Sequence, residues 1–160
     1  VESVSRAKLY FEEVVEQTGE AGDEILVAIS KKAIVTGTVE VLEWIRTKGV
    51  EFSNKHFRVA AYLAHTSVLK WAEEKNLEWY GEDTFIALSA RGHIAILAWI
   101  RDLGREIPEV TADTAALSGQ ASVLNWLKEQ DLLDAASAPM FWRSASKGGH
   151  TNVMDWLHDN

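Results

Sequence analysis

Tryptophan recurs at positions 44, 71, 99, 126 and 156, at separations of 27, 28, 27 and 30 residues, and its surroundings recur with it. In register the chain reads GTVEVLEWIRTKG at 37–49, AHTSVLKWAEEKN at 64–76, GHIAILAWIRDLG at 92–104, GQASVLNWLKEQD at 119–131 and GHTNVMDWLHDN at 149–160. A period this short, carrying one large aromatic in every copy, predicts an array of one small unit instead of a single mixed core. Each copy opens on a small residue: Gly37, Ala64, Gly92, Gly119 or Gly149. Thr38, His65, His93, Gln120 or His150 follows. Apolar residues then fall at helical spacing; in the third copy they are Ile96, Leu97, Trp99 and Ile100, one face of an α-helix. Gly49, Asn76 and Gly104 stand where a left-handed C-cap is wanted, and Asp131 holds that column in the fourth copy.

A second helix precedes each small residue. Two adjacent, mostly small positions recur in it: Ala33–Ile34, Ala60–Ala61, Leu88–Ser89, Ala115–Ala116 and Ala145–Ser146. Small side chains let helices approach closely, and the glycine after them lets the backbone reverse. The unit is therefore a helix, a tight turn, a helix and a short loop. Helices of about ten residues are marginal alone, so neighbouring pairs must stack to bury their apolar faces. The tryptophan is expected to seal the gap between one pair and the next. A buried indole hides about 150–250 Å², an upper bound of roughly 4–6 kcal/mol at about 25 cal/mol per Å².

The expected fold is all-α: a solenoid of stacked antiparallel helix pairs, five repeats plus an N-terminal capping helix. One domain covers 1–160, with the cap helix and linker at 1–22 and repeats at 23–49, 50–76, 77–104, 105–131 and 132–160. Residues 2–18 read as a lone helix with Leu9, Tyr10, Val14 and Val15 inward and an acidic outer face, as a cap requires. Phe52, Trp79 and Ile107, each eight after its repeat tryptophan, are expected to be buried under the next inner helix. Trp142 shares a column with Phe57 and Phe85 and is expected in the core. The DLLDAASAP stretch at 131–139 carries three extra residues, which allows a tilted last pair or a mobile loop.

The net charge of −8 on 160 residues disfavours binding to phosphate backbones, although residues 1–29 carry −5 of it. No run of about 18 apolar residues is present to span a membrane. The chain has no cysteine, so neither a disulfide framework nor a cysteine nucleophile is available. That, with no visible leader, favours an intracellular location, cytoplasmic or nuclear. The histidines of the turn column are one repeat apart, a helix-packing distance of about 10 Å and too far for one zinc. Helix-start capping and turn packing are their expected roles, and His56 and His158 read as surface residues. No nucleophile–base pairing, phosphate loop or metal motif stands out. The expectation is a protein without catalysis, metal or cofactor.

The string TFIALSARGHIAILAWIRDLG at 84–104 resembles the ankyrin repeat, in which a Thr-Pro-Leu-His-like helix, an Ala-Ala pair and Gly-His precede an outer helix ending in Gly. FWRSASKGGHTNVMDWL at 141–157 fits nearly as well, and the resemblance covers about residues 23–160. The short period and tryptophan-rich outer helix are similar to the ankyrin variant found in giant viruses, oomycetes, amoebae and algae. No Thr-Pro-Leu-His occurs as such. The resemblance implies a protein- or peptide-binding module.

Positions seven and three before the turn column lie four apart and share one face of the inner helix. They are Lys31 and Val35, Arg58 and Tyr62, Ile86 and Ala90, Asp113 and Leu117, and Arg143 and Lys147; the adjoining column adds Leu63 and Arg91. These residues change from copy to copy while the Ala-Gly-Trp skeleton does not. Packing fixes the skeleton, and the variable set is free to specify a ligand. The expected binding residues on the concave side are thus Lys31, Val35, Arg58, Tyr62, Leu63, Ile86, Arg91, Asp113, Leu117, Arg143 and Lys147. The expected partner is a protein or peptide, favouring an acidic segment because basic residues sit toward both ends; nucleic acid and membrane are not expected. The alternatives are a merely solvated face, or a spacer or adaptor arm of a larger protein.

Overall fold

A computed structural model describes residues 2–18 and 22–160, and every regular element among them is helical. The chain divides into two compact units, one ending at Trp79 and the other beginning at Tyr80.

The first unit holds α1 (Glu2–Thr18), α2 (Gly22–Thr36), α3 (Val39–Arg46), α4 (Asn54–Tyr62) and α5 (Thr66–Glu74). Helices α2 and α3 pack as one pair and α4 and α5 as another; α2 touches α4, α3 touches α5, and α1 lies on both α2 and α3. The second unit holds α6 (Glu82–Ala90), α7 (Ile94–Asp102), α8 (Val110–Leu117), α9 (Ala121–Glu129), a 3-10 turn (Ala135–Ser137), α10 (Ala138–Gly148) and α11 (Thr151–Asp159). Here α6 packs on α7, α8 on α9 and α10 on α11, with α8 between α6 and α10 and α9 against α11.

All five turns close alike. The N–H groups of Thr38, His65, His93, Gln120 and His150 donate to the carbonyls of Ala33, Ala60, Leu88, Ala115 and Ala145, each at 2.9 Å. This six-to-one closure requires a left-handed residue just before it. Gly37, Gly92, Gly119 and Gly149 supply one, and Ala64 is forced into the same region at φ 57°. Asn76 and Asp131 take left-handed φ where Gly49 and Gly104 do in the sister copies, as their column predicts. The small positions before the turns are buried in the first four copies, where neighbouring inner helices meet.

Trp71 is 5% exposed, and Trp44, Trp99, Trp126 and Trp156 are half-buried. The rings of Trp71 and Trp156 bridge their own pair to the pair before it, as the expected seal between pairs requires, and the ring of Trp44 reaches α1. Trp71 Nε1 donates to Glu43 Oε2 on α3 at 2.7 Å, Trp156 Nε1 meets Asn125 Oδ1 on α9 at 3.5 Å, and Trp44 packs edge-on against Phe11 of α1. Helical side chains lean toward the N-terminus of their own helix, so which neighbour a ring meets depends on how that helix is set beside it.

Three local expectations are overturned. In α1, Leu9 is 64% exposed and Tyr10 is also exposed; the half-buried stripe is Val4, Ala7, Phe11 and Val14, because Phe11 is the residue that meets Trp44. The Val15 side chain lies outside the described residues. Trp142 is 40% exposed, although Ala112, its counterpart in the preceding pair, is buried by α10 packing on α8. No described helix packs on the corresponding side of α10. His56 is half-buried and partnered: its Nδ1 accepts the Ser53 N–H at 3.1 Å and closes the start of α4. In the loop column Trp79 is fully buried, while Phe52 and Ile107 are half-buried. The extra residues before the last pair form the 3-10 turn, where Asp134 Oδ1 accepts the Ala136 N–H at 2.9 Å.

Candidate functional site

The inner helices place the expected binding residues. In the first unit, Lys31 and Val35 stand on α2, Arg58 and Tyr62 on α4, and Leu63 at the C-cap of α4; all five are exposed. Val35, Tyr62 and Leu63 are 42–48% exposed, beside two cations. Because α2 touches α4 directly, these side chains belong to neighbouring surfaces of one unit.

In the second unit, Arg91, Leu117, Arg143 and Lys147 are exposed, and Ile86 is half-buried on α6. Asp113 is also half-buried, and its carboxylate accepts the Ser144 hydroxyl of α10. That bond ties two inner helices together and directs Asp113 toward its neighbour as well as outward. Ser89 does similar work between α6 and α8, donating its buried hydroxyl to the Thr111 carbonyl.

The turn column joins pair to pair. His65 Nε2 lies 2.8 Å from the Val35 carbonyl, and Gln120 Nε2 donates to the Ala90 carbonyl at 3.1 Å. Of the two expected roles, turn packing holds and helix-start capping does not: none of His65, His93, Gln120 and His150 makes a side-chain cap bond to its own helix. The ring instead fills the space beside the preceding turn. A Cβ on Gly37 would lie 2.8 Å from His65 Nδ1, and one on Gly119 would lie 2.6 Å from His150 Nδ1. Glycine is needed there twice over, for its left-handed φ and for the close approach of the imidazole.

Two further features were missed. Glu43 accepts from Trp71 and from Lys75 Nζ, the latter at 2.8 Å, so that one carboxylate links α3 to α5. Those bonds, Lys75's foremost and Trp71's next, hold the Glu43 carboxyl below its ordinary range against a small opposing effect of burial. At Glu43 and Asn125 the residue just before one copy's tryptophan is where the next copy's indole arrives, in each case within one unit. The second feature is a groove of about 590 Å³ beside α1, floored by Ala7, Ile29, Ala33 and Val41 with Arg6, Tyr10 and Lys32 along it. Among the described residues no group of three or more His, Asp or Glu is placed to hold a metal ion, and no helix is long and apolar enough to cross a membrane. Comparison of the chain with models of known families, with curated proteins and with solved structures gives no match.

Proposed function

We propose that the chain is a non-enzymatic interaction module of the ankyrin type, a solenoid whose inner helices hold a peptide or protein surface on a concave side. One contrast carries this reading. Among the positions that stay constant between copies, the alanine pairs Ala60–Ala61 and Ala115–Ala116 are buried, whereas most of the residues chosen from columns that vary are exposed, as at Arg58, Tyr62, Leu117 and Arg143. Packing explains the first set; the second faces outward.

The chemistry of the exposed set indicates its partner. In the first unit Tyr62 and Leu63 provide apolar anchors and Lys31 and Arg58 positive charge; in the second Leu117 provides an apolar group and Arg143 and Lys147 the charge, within a chain of net charge −8. Tyrosine and arginine are the residue types that most often dominate binding energy. Cations around apolar anchors favour an acidic segment and speed its encounter. Short helices held by turn bonds present these groups with little ordering cost on the protein's side.

The test is Arg58→Glu combined with Tyr62→Ala, read against an acidic peptide library. A loss of at least ~10-fold in affinity, about 1.4 kcal/mol, is expected with helical content unchanged. Equal binding by the variant at equal helicity would overturn the assignment.

A further inference from the structure

The three extra residues before the last helix pair leave a cavity where an earlier copy places an aromatic ring. In the first unit the loop leading into α4 is plugged by Phe52, whose ring lies 6.1 Å from Phe57 and 5.5 Å from Trp71. Phe52 stands eight residues after Trp44 and thirteen before His65, and Ile107 stands eight after Trp99 and thirteen before Gln120. The longer loop at 131–139 offers two residues for that place, Asp134 counted from Trp126 and Ser137 counted from His150. Both are polar, so neither supplies an apolar plug. A cavity of about 240 Å³ lies there, within the second unit. Its walls include Ala112, Leu127 and Phe141, all buried, and its polar lining is Glu109, Asp134 and Ser137. Glu109 and Asp134 are exposed, so the acids stand on the solvent side of an apolar hollow.

One short turn holds both carboxylates. Ser137 Oγ donates to Glu109 Oε1 at 2.8 Å, and Asp134 Oδ1 accepts the Ala136 N–H at 2.9 Å. An ionised carboxylate has about four lone-pair sites, so each acid can accept further bonds. Among the described residues that line the cavity there is no lysine, arginine or histidine. We propose that this cavity binds a small apolar amine, its hydrocarbon part in the hollow and its ammonium group at Asp134 and Glu109. Charge selects a cation, because two acids and no base border the space. The order of the lining selects which end enters. A lysine side chain reaching in from a partner would carry its ammonium past the acids and into the apolar part, where an unpaired charge is costly. An amine with a hydrocarbon tail meets both environments correctly. The volume is below the roughly 300–1,000 Å³ usual for drug-sized ligands, which limits the guest to a short alkyl or arylalkyl chain. None of the lining residues belongs to the inner-helix face, so the function proposed for that face is not required.

The probe is phenethylammonium, titrated calorimetrically into the full chain at low ionic strength. Saturable one-to-one binding with Kd below about 1 mM is expected, with amide NMR shifts confined to residues 107–112 and 127–141. Phenethyl alcohol, the neutral counterpart, should bind roughly tenfold more weakly, because it lacks charge-assisted hydrogen bonds. Asp134→Asn with Glu109→Gln keeps the turn's acceptors, removes both charges and should weaken the amine by roughly the same factor at unchanged helical content. Asp134→Leu restores the missing plug and should abolish binding without lowering the thermal midpoint. No saturable binding up to about 10 mM amine overturns the proposal. So does equal affinity for the alcohol, undiminished binding by the charge-removing double variant, or shifts located elsewhere.

Discussion

Trp71 and Trp156 occupy the same column of the repeat in different units, and the structure treats them differently. Trp71 is almost fully buried, donates to a carboxylate fixed by Lys75, and packs edge-on against Phe52 at 5.5 Å. Trp156 is half-buried and meets a neutral amide oxygen at 3.5 Å. One residue type at one register position therefore carries unequal energetic weight. The backbone sets where an indole can go, but what the ring is worth depends on how many neighbours close around it and whether its N–H meets a charged acceptor.

The largest effect expected from that contrast is on stability. Trp71→Ala should destabilise the first unit by roughly 3–5 kcal/mol, as for a large buried aromatic. Trp156→Ala should cost about 1–2 kcal/mol in the second, since less area leaves contact. Urea unfolding followed by circular dichroism measures both, and equal losses would break the comparison. Gly119 and Gly149 provide a second matched pair, with nearly the same φ (75° and 73°) and opposite surroundings. Gly149→Ala should cost only the left-handed penalty, about 1–2 kcal/mol. Gly119→Ala should cost more, roughly 2–4 kcal/mol, because His150 must also move.

The smallest effect concerns acid. Glu43 titrates below its unfolded value of about 4.3, so its contribution is present above that pH and is lost as pH falls through the lower folded value. Thermal midpoints should drop on acidification past roughly pH 4.3, and the Glu43→Gln variant should start lower and lose less over the same interval. Parallel curves for the two proteins would show that the Trp71–Glu43–Lys75 link does not sense pH.

Much of the local structure was legible from the chain. Left-handed caps at Asn76 and Asp131, a turn at every small residue, and close contact at the alanine pairs all follow from residue types at fixed offsets. The residues expected on a binding face come from the columns that vary, and nine of the eleven are exposed. What escaped was any property set by a neighbour. In α1 two apolar stripes compete, and the choice of Phe11 over Leu9 and Tyr10 is made by Trp44. Trp142 reads as core in its own column and is exposed because no described helix covers its side of α10. His65 looks like a cap but bonds to a carbonyl thirty residues away.

By itself, then, the sequence determined the helix pairs and their turns. Those depend on backbone preference and helical period, and both act over a few residues. Tertiary structure decided which way the indoles reach, which stripe of α1 is covered, how the chain divides into two compact units and which helix face is left open. Each of these depends on the element packed alongside, so no local pattern encodes it.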